Sequence, residues 1–167
     1  IPWQYRSNFK YITHFYMDFG QVSSSEYVGI MTTQYDGITF YFIDNEHYFG
    51  GGSPYGDTRF DIEKFCFFSK AALSILPSIN FKPDIIHCHD WQTGVLPVYL
   101  HTIFRDNHFY DNIRTIMTIH NLRFQGIWDI PTFKKITGFP DYVFRPTDME
   151  YKKDANMLKG GMVYSNY

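Results

Sequence analysis

The chain has 167 residues, enough for one domain with a real core. Its net charge of −2, with acids and bases interspersed, gives no electrostatic case for binding nucleic acid or an anionic membrane surface. Hydrophobic residues make up 44%, so a packed globule is expected, and no apolar run reaches the length that spans a bilayer.

The aromatic share is high, at 20%. Carbohydrate sites use aromatic faces, but many of these Tyr and Phe residues fall at core spacing. Cys66 and Cys88 lie in apolar segments and read as small core residues. With no signal peptide and no disulfide framework, a reducing compartment such as the cytoplasm is expected. Ile1-Pro2-Trp3 lacks an initiator methionine, and Leu158 to Tyr167 stops within an apolar-periodic segment. Both ends read as cuts, so residues 1–167 are expected to be a single, incomplete domain.

In chain order, residues 10–19 and 26–32 predict strands. Asp36-Gly37 supplies the backbone angles of a tight hairpin. Ile38 to Ile43 is β-branched and aromatic, and predicts a buried strand. Residues 44–60, rich in glycine, predict a long loop of the kind that is often functional. Thr58 or Asp61 is expected to cap the next helix. Its apolar stripe is Ile62, Phe65, Cys66, Ala72, Ile75 and Leu76, and Pro77 ends it. Ile85 to Cys88 predicts a short strand, Gly94 to about Phe104 a helix with Pro97 in its first turn, and Ile113 to Ile119 a second strand. Such continuous apolar runs suit a parallel sheet covered on both faces. The expected class is therefore α/β, built around a strand–helix–strand unit.

Both apolar strands end abruptly in polar residues. In an open parallel sheet, ligands sit beyond the carboxyl ends of the strands. His87, His89, Asp90, His120 and Asn121 are therefore expected at one edge of one sheet. A metal site is not expected there, since residues 87 and 89 face away from 88 and 90, while zinc needs three or four convergent ligands. Asp90, Gln92, Thr93 and Gly94 lie where a strand becomes a helix. They either cap that helix or leave first-turn N–H groups free for an anion or sugar oxygens. His120-Asn121 can hydrogen-bond sugar hydroxyls or serve structure alone. Phe124-Gln125-Gly126 predicts a turn. Gly50 to Gly56 lacks the Gly-Lys-Ser/Thr ending of a phosphate loop, and reads as a mobile loop presenting Tyr55. Lys159-Gly160-Gly161 reads as close packing within a helix.

Four segments together resemble the bacterial glycogen synthase and plant starch synthase family. They are Phe42-Ile43-Asp44 with Ser53-Pro54-Tyr55 and Asp57, Lys82 to Gly94, Thr118 to Gly126, and Asn156 to Asn166. The resemblance implies a Rossmann-like parallel sheet with flanking helices. It would be part of the amino-terminal, acceptor-side lobe of a two-lobed (GT-B) glycosyltransferase. It also implies retaining transfer of glucose from ADP-glucose, or another nucleotide-glucose, to the non-reducing end of an α-1,4-glucan. Neither cofactor nor metal is implied.

Carried over by motif, His120, Asn121 and Asp90 are the implied catalytic residues. Asp90 and Asn121 would bond glucose or acceptor hydroxyls, and the His120 carbonyl would lie near the anomeric carbon. Tyr55, His89, Gln92, Thr93, Gly94 and Gln125 are the implied substrate-binding residues. Gln92 departs from the His that many members carry. The family's donor-contacting Lys-x-Gly-Gly-Leu loop and its nucleotide-binding lobe have no match in the 167 residues. The chain alone is therefore expected to be inactive, and to self-associate through an exposed strand edge. The implied setting is cytoplasmic, or plastid for a plant source. The competing reading is a non-catalytic glucan-binding module.

Overall fold

A computed structural model describes residues 7–167. The expectation at Ile1-Pro2-Trp3 lies outside the described residues. The chain opens with a three-stranded antiparallel sheet in the order β1 (Lys10–Phe19), β2 (Ser23–Tyr35), β3 (Ile38–Asp44). Tyr35 pairs with Ile38 across a two-residue turn in which Asp36 and Gly37 have φ of 51° and 75°. Those positive angles match the right-handed twist of the strands, which is why Asp-Gly suits the position. One face of this sheet, carrying Met17, Phe19, Val28 and Ile30, is buried.

β3 is not the buried strand that its composition predicts. It lies at the sheet edge, and its first half is open to solvent, with Ile38 at 58% exposure. Residues 44–60 are also more ordered than a loop. Asn45 caps a short helix α1 (Glu46–Phe49) by accepting the Tyr48 N–H, and donates to Glu26 and to the Tyr27 carbonyl. The loop proper shrinks to Gly50–Asp57.

Helix α2 (Thr58–Ser78) is capped by Asp57, whose side chain accepts from Phe60 N–H at 3.1 Å. Neither Thr58 nor Asp61 is the cap. The helix runs one residue past Pro77. Ile62, Cys66, Phe67, Leu73 and Ile75 are buried, and Phe67 packs against Phe19 and Tyr48. The stripe also buries Lys64 and Lys70, whose ammonium groups reach polar partners.

β4 (Ile85–His89) and β5 (Arg114–Thr118) pair in parallel, joined through a 3₁₀ turn at Trp91–Thr93 and helix α3 (Leu96–His101). The α/β unit is thus as expected, although α3 ends before Phe104. Among the described residues, the sheet is covered by helices on one face only. Cys88 is buried, whereas Ile85, His87 and His89 are exposed. The other face of the strands is therefore open, contrary to the two-sided cover expected. A third sheet, in the order β6 (Ile127–Asp129), β8 (Asp154–Asn156), β7 (Glu150–Tyr151), frames helix α4 (Ile130–Thr137) and delivers α5 (Met157–Tyr164). Helix α3 packs against both α2 and α5. Both cysteines are free and buried, and burial raises both thiols, Cys88 to about 12.

Tyr99, on α3, is fully buried against Phe139, and its hydroxyl has no hydrogen-bond partner among the described residues. An unmet buried hydroxyl costs about 1–3 kcal/mol. Tyr99→Phe is therefore expected to raise stability by about 1 kcal/mol in urea unfolding, and a loss of stability would mean that the hydroxyl has a partner.

Candidate functional site

The parallel register sets the geometry. His89 pairs with Thr118, so Asp90 and His120 leave the sheet side by side at its carboxyl edge. The Asp90 N–H donates to the Thr118 carbonyl at 2.9 Å, continuing the ladder by one step. Asp90 then turns sharply, with φ of 55°, a region rarely occupied by a non-glycine residue. Such a conformation persists only where its surroundings enforce it. Here the enforcing contacts are clear. The Asp90 carboxylate accepts the backbone N–H groups of His120 at 2.7 Å and Asn121 at 3.2 Å.

Asp90 therefore does not cap the turn that follows it, and works across the sheet on the other strand's loop. Burial raises the Asp90 carboxyl, but the two backbone N–H groups and the nearby imidazoles outweigh it, and the net shift is downward. The carboxylate form is the one that holds the loop. Thr93 also turns back on β4. Its hydroxyl accepts the His89 N–H and donates to the His89 carbonyl, each at 2.7 Å.

Three imidazoles share the exposed edge. His89 Nδ1 lies 3.0 Å from His120 Nε2, and the two rings stack at 5.2 Å. His87 sits 4.2 Å from the His89 ring, and its Nε2 meets the Thr118 hydroxyl at 2.7 Å. One nitrogen of the His89–His120 contact must donate while the other accepts, so the contact tolerates at most one imidazolium. Consistently, desolvation first, and then His87 and His120, push His89 below its ordinary value. Among the described residues, no group of three or more His, Cys, Asp or Glu is arranged to hold a metal ion.

Asn121 is exposed, and its Oδ1 accepts the Arg123 N–H at 3.0 Å, closing a local turn. Gln125 lies behind it. It donates to the Leu122 carbonyl at 3.0 Å and accepts from Asn156 Nδ2 at 2.7 Å, while Asn156 caps α5 through the Lys159 N–H. Gln125 thus braces the loop against α5. Gly94 is buried away from this edge. Its N–H already serves the Trp91 carbonyl, and it presses on the first residue of α5. The N–H groups of Thr93 and Gly94 are therefore engaged, and first-turn anion binding through them is not available.

Tyr55 reaches Gln92, on the turn that follows β4. It is 53% exposed, and its hydroxyl accepts from Gln92 Nε2 at 2.7 Å. Its ring leans towards Phe65, which meets the buried Trp91 edge-on at 5.0 Å. Residues 89, 90, 93, 120 and 121 therefore form one hydrogen-bonded group, with Gln125 bracing its loop and Gly94 beneath it, and the Tyr55–Gln92 pair joins it through the backbone of the Trp91–Thr93 turn. Asp61, Lys64 and Asn156 also support the group. Of these, only Asn156 carries a sequence signal, as an Asn placed just before an apolar helix.

A family model described as starch synthase catalytic domain matches residues 2–167. The chain belongs to that family. It is 57% identical over 166 residues to a glycogen synthase of Lachnospira eligens, and 55% identical over 167 residues to one of Lachnoclostridium phytofermentans. These alignments cover 99% and 100% of this chain but 34% of each relative, so the chain spans about a third of their length. Among solved structures, it is similar to the catalytic domain of starch synthase IV from Arabidopsis thaliana bound to ADP and acarbose, with a TM-score of 0.81 and 28% identity. That match covers 95% of this chain and 33% of that one. The α/β fold is that of a Rossmann-like amino-terminal domain of a two-lobed glycosyltransferase. The match also takes in nearly all of the first 37 residues, where the sequence motifs are weakest. Among the described residues, no helix is long and apolar enough to cross a membrane.

Proposed function

We propose that this edge is the sugar-facing, acceptor-side part of a retaining glucosyltransferase site in glycogen or starch synthesis. Glucose would pass from ADP-glucose, or another nucleotide-glucose, to the non-reducing end of an α-1,4-glucan. The observation that carries the reading is the Asp90 clamp. It fixes His120 and Asn121 at the carboxyl edge of the parallel strands, where an α/β sheet binds its ligand. The ADP in the starch synthase IV structure favours an adenine nucleotide as donor.

The roles we propose are those the family resemblance implies, and the Asp90 clamp supports them. An oxocarbenium-like centre carries positive charge, and a fixed carbonyl dipole such as that of His120 stabilises it. His120 and the Asn121 amide would meet the donor glucose, while Tyr55 and Gln92 would line the glucan side. Asp90 would act chiefly by holding the loop, with its second oxygen towards a sugar hydroxyl. Thr93 and Gln125 would position their neighbours. The setting we propose is cytoplasmic, or plastid for a plant source. We also propose that the isolated chain self-associates. Ile85 is 55% exposed on its open sheet face, and Leu122 and Phe124 are exposed beyond the carboxyl end of β5.

A chimera tests the reading. The 167 residues replace the matching third of the Lachnospira eligens glycogen synthase, and glucose transfer from ADP-glucose to glycogen is followed. Transfer at a rate comparable to that of the unmodified enzyme is the expected result. A folded chimera that binds glucan but transfers nothing would instead favour a glucan-binding module.

A further inference from the structure

The loop Gly50–Asp57 presents Tyr55, yet little apolar packing holds it. A Cβ added at Gly52 or Gly56 would meet nothing within 4 Å, and at Gly51 only the edge of one atom. The loop needs some other restraint to keep Tyr55 against Gln92. The Ser53 hydroxyl donates to the Tyr55 carbonyl and accepts its N–H within the loop, and the restraint that ties the loop to the helix comes from a charge pair at the start of α2. Asp61 and Lys64 are both 5% exposed, and Lys64 Nζ meets Asp61 Oδ1 at 2.7 Å. Lys64 also donates to the Pro54 carbonyl at 2.6 Å, and Asp61 Oδ2 accepts the Gly56 N–H at 3.0 Å. The backbone is thus gripped on both sides of Tyr55.

A buried ion pair is a poor source of stability, because desolvation offsets most of the attraction between its charges. Here the pair's remaining hydrogen-bonding capacity points at the loop. We propose that Asp61 and Lys64 are positioning residues for the glucan side of the site, setting Tyr55 at its working height through Pro54 and Gly56. The proposal rests on the glucosyltransferase reading for its functional consequence, but not for its structural one.

Two measurements separate the claims. In the 167-residue chain, the double variant Asp61→Leu with Lys64→Met removes both charges. Replacing a buried pair by apolar groups of similar size is often neutral, so cooperative melting should survive. Chymotryptic cleavage after Tyr55 should then rise about tenfold, the scale expected for losing hydrogen bonds to charged groups. In the chimera, the same variant should raise the KM for glucan by about tenfold, with the KM for ADP-glucose unchanged. Lys64→Gln keeps one donor for Pro54, and should shift both readouts the same way by less. It carries the test if the double variant does not fold. Unchanged cleavage would overturn the anchor, and a loosened loop with unchanged glucan KM would overturn its role in positioning. An inactive unmodified chimera would sink the glucosyltransferase reading, and the cleavage measurement would still judge the anchor.

Discussion

Replacing His120 by Ala in the chimera leaves its backbone carbonyl in place and removes the imidazole that would meet the donor glucose; turnover is expected to fall by about 10²–10³, or roughly 2.7–4 kcal/mol, the effect of losing one preorganised side-chain donor at the reacting sugar. The KM for ADP-glucose should change far less, because the proposed site has His120 at its sugar edge and not in a nucleotide pocket. The variant also leaves His89 Nδ1 without its 3.0 Å partner. His120→Gln restores a side-chain hydrogen bond near that point and separates the two effects. If Gln recovers turnover, the stacked pair matters more than the imidazole itself. Asn121 needs a different control, since its Oδ1 closes a turn on Arg123. Asn121→Asp keeps that acceptor, removes the amide donors and adds a negative charge near Asp90, and a loss of turnover at least as large is expected. Near-normal turnover for His120→Ala would remove that residue from the sugar site.

Much of this edge could be read from the chain because strand registry is a strong constraint. Two apolar runs of equal length, each ending in polar residues, leave few alternatives once the strands are parallel and adjacent. The same holds for the Asp36-Gly37 hairpin, where two positive φ angles demand those residue types. Other features depended on distant partners. Asp90 looked like a cap or a ligand because its carboxylate's true partners, His120 and Asn121 N–H, lie on the next strand's loop. Lys64 and Asp61 sit in an apolar stripe whose period says only that they should be buried, and nothing local says that Pro54 and Gly56 complete them. Asp57 took the cap because the helix begins one turn earlier than its apolar period suggests. β3 misled for a plainer reason. Its β-branched and aromatic residues fit a strand, but burial depends on what pairs and packs beside it, and β3 pairs only with β2 among the described residues.

Gly94→Ala is expected to give the largest loss of stability of any small substitution near the site. An added Cβ would lie 2.3 Å from the Met157 carbonyl oxygen and 2.7 Å from its carbon. These are backbone atoms at the start of α5, so no side-chain rotation relieves the clash. Gly161 faces back on the same spot, with an added Cβ 3.0 Å from Gly94 Cα. The two segments touch backbone to backbone, and α5 must retreat to admit even a methyl group. Overpacking of this kind costs about 1–3 kcal/mol, and more where the backbone cannot yield. For a chain of this size that is a fall in Tm of about 2–4 °C per kcal/mol. The retreat would also reach the site. The Met157 and Leu158 N–H groups donate to the carbonyls of Gly126 and Gln125, and Asn156 holds the Gln125 side chain. Moving α5 therefore pulls on the loop that carries His120 and Asn121. Gly52→Ala is the control, since a Cβ there meets nothing within 4 Å. It should be neutral or slightly stabilising, by at most about 1 kcal/mol. If Gly94→Ala melts with Gly52→Ala, α5 is not pressed against the 3₁₀ turn, and the brace behind the His120 loop is looser than the packing requires.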